Sequence, residues 1–257
     1  MEANDQEYNR KGIKKYESEE YRNALEEFRE ARKLNPKNAE YSNNMGMCHL
    51  QMGRHKDALR SFKEALEKNP NTALYCYNSG LAYMELGKGK EAVQAFQEAV
   101  ALDSSHFDSW NRLGLLFFSD QNWKAAKDCW ERAASLQDNA ETENNLGMIY
   151  LNLNQLEQAE KQFRKSLKLD GRYLMAHYNL GVLYQRMKNY KKAEKSYENA
   201  VLLDPDYFYS YMNIAIVQTS LGKNKKAIAN LEEFIRRAPP GFERQINDAK
   251  KRISALK

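Results

Sequence analysis

Residues 174–207 read LMAHYNLGVLYQRMKNYKKAEKSYENAVLLDPDY. Within them Leu180 and Gly181 are followed by Tyr184, Ala193, Tyr197, Ala200 and Pro205. The same offsets recur at Gly80, Ala92, Phe96 and Ala99, and at Gly46, Ala58, Phe62, Ala65 and Pro70. The period is 34 residues. A fixed period of this length marks an array of short supersecondary units, each packed on its neighbours, and not a domain with a single core.

Each unit reads as two helices. Leu180, Leu183, Tyr184 and Met187 have helical spacing, as do Ala193, Tyr197, Ala200 and Val201. The break between the two runs falls at Lys188 and Asn189, where other units have Gly87 and Gly222, residues suited to ending a first helix. Pro36, Pro70, Pro205 and Pro239 follow second helices, which a proline cannot continue. Small residues such as Gly181, Ala193 and Ala200 allow close helix approach, and Tyr184 and Tyr197 fill the volume beside them. The units run 5–38, 39–72, 73–106, 107–139, 140–173, 174–207 and 208–241, after a polar lead of residues 1–4. Residues 242–257 form a charged helix with one apolar stripe, Phe242, Ile246, Ala249, Ile253 and Leu256, suited to capping the last unit.

Composition narrows the function classes. The net charge of +5 is unevenly spread: residues 1–139 carry 20 Lys/Arg against 22 Asp/Glu, and residues 140–257 carry 20 against 13. The C-terminal half therefore favours acidic partners. Cys48, Cys76 and Cys129 make no CxxC pair and an odd count, which suits buried, reduced thiols. No apolar run is long enough to span a membrane. The opening residues MEANDQEYNR lack the apolar run of a secretory signal, so a cytoplasmic location is expected. Phosphate-loop, dinucleotide, zincin and nucleophile-elbow motifs are all missing. His49, His55, His106 and His177 have no metal-ligand spacing, and His177 reads as a packed core histidine. Carboxylates on second helices read as solvating groups. No catalytic residue, metal or cofactor is expected.

The repeated residues closely resemble the tetratricopeptide repeat family. That pattern has Leu-Gly at positions 7 and 8 of the unit, Tyr at 11, Ala at 20, an aromatic at 24, Ala at 27 and Pro at 32. The resemblance covers residues 5–241 and implies an all-α solenoid, a right-handed superhelix of seven helix hairpins with a concave groove lined by first helices. In such a groove, position 6 holds Arg10, Asn44, Asn78, Arg112, Asn145, Asn179 and Asn213. Asparagine offers both a donor and an acceptor to a peptide backbone, and family members that grip long peptides carry a similar asparagine ladder. The alternative is that these asparagines cap local backbone or follow the repeat pattern alone. Position 9 is apolar throughout, Ile13, Met47, Leu81, Leu115, Met148, Val182 and Ile216, and reads either as inter-helix packing or as a groove floor. Position 5 adds Asn9, Asn43, Tyr77, Asn111, Asn144, Tyr178 and Met212, and position 2 adds Leu74, Met175 and Tyr209. Tyr178, Tyr209, Met175 and Met212 are thus expected together near the C-terminal end, where aromatics and methionines suit an adaptable surface. Tyr207 and Phe208 could instead pack between repeats.

Chaperone-binding members clamp a C-terminal carboxylate with lysines and asparagines at positions this chain fills with Asn9, Ile13 and Asp108, so that ligand is not expected. The expected role is a non-catalytic scaffold or adaptor that takes an extended peptide, or a protein partner's helix, in the concave groove. Self-assembly into a homo-oligomer through repeat ends or groove is the alternative. Lys191, Lys192, Lys195, Lys223, Lys225 and Lys226 on second helices, with Lys250, Lys251 and Arg252 of the tail, read as a solvated face or as a dock for an acidic protein or an anionic membrane surface. Nucleic acid is not expected.

Overall fold

The computed structural model describes residues 4–257, and these hold fifteen α-helices and no strand. Residues 1–3 of the polar lead lie outside the described residues. The chain divides into two compact units, one ending at Cys129 and the other beginning at Trp130.

The first unit contains α1 (Asp5–Glu17), α2 (Tyr21–Leu34), α3 (Ala39–Gln51), α4 (His55–Lys68), α5 (Ala73–Glu85), α6 (Gly89–Leu102) and α7 (Phe107–Ser119). The boundary falls within α8 (Trp123–Leu136). The second unit continues with α9 (Ala140–Asn152), α10 (Leu156–Leu169), α11 (Leu174–Arg186), α12 (Tyr190–Leu203), α13 (Tyr209–Ser220), α14 (Asn224–Arg237) and α15 (Glu243–Leu256). Within each unit, successive helices pair as hairpins of an α-solenoid.

Local sequence explains the ends. Asn4, Asn38, Asn139 and Asn189 cap α1, α3, α9 and α12, each side chain accepting a backbone N–H of the first turn. Every first helix stops the same way. The residue at position 15 of the unit adopts the left-handed conformation: Glu19, Gly53, Gly87, Gln121, Asn154, Lys188 and Gly222, with φ between 57° and 71°. At α11 the Asn189 N–H returns to the Tyr184 carbonyl at 2.8 Å and the Lys188 N–H to that of Gln185 at 3.0 Å, a Schellman closure. Three units supply glycine for this turn and four do not. A side chain in that conformation costs about 1–2 kcal/mol, partly offset by the freedom a glycine loses on folding. Lys188→Gly should therefore raise stability by up to about 1 kcal/mol, read as a higher melting temperature; a lower one contradicts the assignment.

The core follows the repeat. All seven alanines at position 20, from Ala24 to Ala227, are fully buried. The glycine at position 8 lies under the aromatic at position 24. A Cβ on Gly12, Gly46, Gly80, Gly147 or Gly181 would lie 2.4–2.5 Å from the ring of Phe28, Phe62, Phe96, Phe163 or Tyr197. Repeat seven departs at both places together: Ala215 and Leu231, both buried, stand where the others have glycine and a ring. Ala249 of α15 is fully buried against Tyr211, Ala227, Leu231 and Phe234, with Ile246, Ile253 and Leu256 half-covered beside it.

Candidate functional site

Four position-6 asparagines, Asn44, Asn78, Asn179 and Asn213, bond through their amides to the preceding repeat. In the first unit, Asn44 Nδ2 on α3 donates to Asn9 Oδ1 on α1 at 3.1 Å. Asn78 Nδ2 on α5 donates to Asn43 Oδ1 on α3 at 2.7 Å. In the second unit, Asn179 Nδ2 on α11 donates to Asn144 Oδ1 on α9 at 2.9 Å, and Asn213 Nδ2 on α13 to Tyr178 Oη on α11 at 2.9 Å. All four bonds join residues 35 apart. These asparagines therefore hold repeat to repeat and do not cap local backbone.

Burial separates them. Asn78 and Asn179 are covered, whereas Asn44, Asn145 and Asn213 keep part of their surface exposed. Asn43 and Asn144, which the repeat pattern places among groove-lining positions, are buried, only 5% and 2% exposed. Their position-5 oxygens serve the neighbouring amide instead of facing solvent. The position-9 residues behave differently. None is fully buried, and Ile13 is 38% exposed. Met148 and Val182 pack partly on the core around α10, α11 and α12 and also keep an exposed side. Ile13 and Met47 line a small apolar recess with Tyr16, Phe28 and Asn44.

The remaining predicted residues fall as follows. The Tyr77 ring lies 5.6 Å from that of Phe96 and 5.0 Å from that of His106. Arg112 is half-buried on α7 and borders a recess with Gln51, His55 and Glu85. Tyr178 meets Tyr197 at 5.5 Å and Tyr207 at 5.2 Å, and Tyr207 meets Tyr209 at 5.6 Å. Tyr178, Asn213 and Tyr209 thus form one group bridged by Tyr207. Tyr209 is 43% exposed and stacks on Phe208 at 4.2 Å. Phe208 also meets Phe242 at 5.0 Å, so Tyr207 packs between repeats six and seven and Phe208 between the last repeat and the start of α15. Met212 packs against the core of the last hairpin. Met175 and Asn145 are half-buried on first helices. His177 is half-buried, not a core histidine: its Nε2 meets the Gly171 carbonyl at 3.0 Å, as Trp110 Nε1 meets that of Ser104 at 3.0 Å. Both tie a first helix to the turn before it.

Two carboxylates on second helices are structural, contrary to the solvating role the sequence suggests. Glu160 Oε1 accepts from Tyr184 Oη at 2.7 Å and from Arg164 Nε at 2.8 Å. Glu194 accepts from Lys223 Nζ at 2.5 Å and Gln218 Nε2 at 3.1 Å, and Gln218 accepts in turn from Asn230 at 2.9 Å. Burial pushes both carboxyls up, but these bonds and ion pairs outweigh it and hold both below the usual glutamate range. Both stand at position 21, and both take the position-11 group of the next repeat. Burial pushes the thiols of Cys48 and Cys129 up to about 12, and that of Cys76 up as well. Thiols held this way are poor nucleophiles. Among the described residues no cluster of His, Cys, Asp and Glu could hold a metal, and no helix is long and apolar enough to cross a membrane.

Tetratricopeptide repeat models match residues 9–73, 80–121, 140–173 and 175–207, together more than half of the chain. The chain belongs to the tetratricopeptide repeat family, whose members generally serve as scaffolds for protein–protein contacts. A model for anaphase-promoting complex subunit 5 matches residues 204–241. A comparison with curated proteins gave no match. Among solved structures, the C-terminal part of a repeat protein from Cytophaga hutchinsonii is similar at 19% identity and a TM-score of 0.73, covering 96% of this chain and 99% of that one. The APC/C hetero-tetramer Cut9-Hcn1 gives 19% and 0.70, covering 89% of this chain and 45% of that chain, so the present chain spans about half its length. YrrB, described as a repeat protein with an unusual peptide-binding site, gives 21% and 0.60 over 75% of this chain and 99% of that one. At these identities the likeness is one of fold.

Proposed function

We propose that this chain is a non-catalytic scaffold that holds an extended peptide against the first-helix face of its repeats. The observation that carries this reading is the 35-residue amide bond made by Asn44, Asn78, Asn179 and Asn213. It fixes each side chain before any ligand arrives, and a fixed group loses little freedom on binding. An asparagine amide has two N–H groups and two acceptor lone pairs. One bond to the neighbouring repeat therefore leaves a donor and an acceptor for a peptide backbone. Asn44, Asn145 and Asn213, with exposed surface, make the direct contacts; Asn78 and Asn179 keep the spacing. The part-exposed residues of position 9, such as Met148, Val182 and Ile216, take apolar side chains of the ligand.

Selection from a peptide library against the whole chain tests this. Asn145→Ala and Asn213→Ala should each weaken the selected peptides by about three- to tenfold, the worth of one net hydrogen bond. Thermal melting, measured alongside, separates lost contacts from lost packing. Selected peptides that bind the doubly changed, folded chain as tightly as the unchanged one would remove the ladder from the site.

A further inference from the structure

One recess is built twice, once in each unit, and its charge is reversed between them. In the second unit it lies between α10 and the α11–α12 hairpin and measures about 300 Å³. In the first it lies between α4 and the α5–α6 hairpin and measures about 210 Å³. The nine lining residues occupy the same nine positions of the repeat in both. Tyr83 and Tyr184 correspond, as do Leu66 and Leu167. The first recess has one cation, Lys63, and two carboxylates, Glu91 and Glu98. The second has Arg164 in place of Lys63, Lys192 in place of Glu91, and Asn199 in place of Glu98. Lys195 replaces Gln94, and His177 replaces Cys76. The lining changes from net −1 to net +3, with the histidine counted as neutral. The backbone builds the recess with either set, so packing does not require the lysines.

The cations are placed to act together. Lys192 Nζ stands 5.2 Å from the centre of the Tyr184 ring, and Arg164 Nη2 donates to Tyr184 Oη at 2.9 Å. Glu160 sits behind that hydroxyl and is engaged by Arg164 and Tyr184, so it neutralises part of the arginine. Lys195 lies one helical turn beyond Lys192 and is exposed, as is Lys192. His177 Nε2 is turned to the Gly171 carbonyl. The floor is apolar: Leu180 and Tyr184 are buried and Leu167 half-buried.

We propose that this recess binds a short acidic segment of a protein partner, carboxylates against Lys192, Lys195 and Arg164 and an apolar side chain on the leucine–tyrosine floor. A recessed apolar floor under the cations fits a peptide, which can enter it, better than a flat lipid surface. The cations lie on the second helices α10 and α12, and none of the lining residues belongs to the asparagine ladder.

The test is fluorescence anisotropy with a short labelled peptide of alternating glutamate and leucine, titrated with the whole chain. Binding should saturate and weaken as salt is added. The double change Lys192→Glu and Lys195→Gln writes the residues of the first recess into the second. It should lower affinity at least about tenfold while the chain stays folded, at the cost only of the exposed Lys192–Tyr184 contact. The reverse change, Glu91→Lys with Gln94→Lys, should add a second binding equivalent. The proposal is overturned if the Lys192/Lys195 variant binds as the unchanged chain does. It is overturned equally if vesicles containing phosphatidylserine bind and the peptide does not, or if Asn145→Ala with Asn213→Ala abolishes peptide binding.

Discussion

Gly147→Ala should destabilise the chain by about 2–3 kcal/mol, at the upper end of what overpacking a core costs. The added methyl would stand 2.5 Å from Cδ1 and Cε1 of Phe163. That ring cannot swing away. Phe163 is fully buried, in a cluster with Ala159, Leu180, Leu183 and Ala193. The strain must then appear as separation of α9 from α10. Phe163→Leu alone should cost about 1–1.5 kcal/mol through lost packing. Made together, the two changes should cost at least about 1 kcal/mol less than their sum, because they reproduce the Ala215–Leu231 pair of repeat seven. Urea unfolding followed by helical circular dichroism reads all three variants. Additive costs would mean that the glycine is not there to admit the ring.

Glu194→Ala should cost about 2 kcal/mol. It strips the acceptor from the Gln218 amide, a residue only 2% exposed, and leaves a buried donor unpaired. The loss of Lys223 adds less, since that side chain is 40% exposed. The same carboxylate gives the fold a pH dependence. Its folded pKa lies below the ordinary value, so the unfolded chain takes up a proton first as pH falls. The stability it contributes is complete above about pH 4.3 and is lost as pH drops through the folded value. Glu160 acts in the same direction. Glu194→Gln should flatten the acid limb of unfolding midpoint against pH; an unchanged limb would mean that the ion pair with Lys223 contributes nothing.

What the repeat made legible is what close packing forces. Gly181 under Tyr197 and Ala193 at full burial recur because no larger residue fits, so their spacing reveals the hairpins. The turn at position 15 is visible in Gly53, Gly87 and Gly222 and hidden in Glu19 and Lys188. An exposed turn tolerates a side chain in the left-handed region at small cost. Glu194 was illegible as a structural group because its partner Gln218 stands 24 residues on, in the next repeat. Second-helix carboxylates are otherwise mostly solvated. The asparagine row was readable as a row, but the burial of Asn78 and Asn179 was not. Their amides turn to Asn43 and Asn144, one unit and one residue away. The charge reversal between the two recesses shows in sequence only as an excess of basic residues after residue 139.

The most direct test of the scaffold reading is the side-chain amide region of a ¹⁵N correlation spectrum, recorded while a library-selected peptide is added to the whole chain. The Nδ2 signals of Asn44, Asn145 or Asn213 should shift in proportion to bound peptide, within whichever unit the peptide occupies. Shifts confined to residues of the second helices, with all three asparagine signals unmoved at saturation, would contradict it.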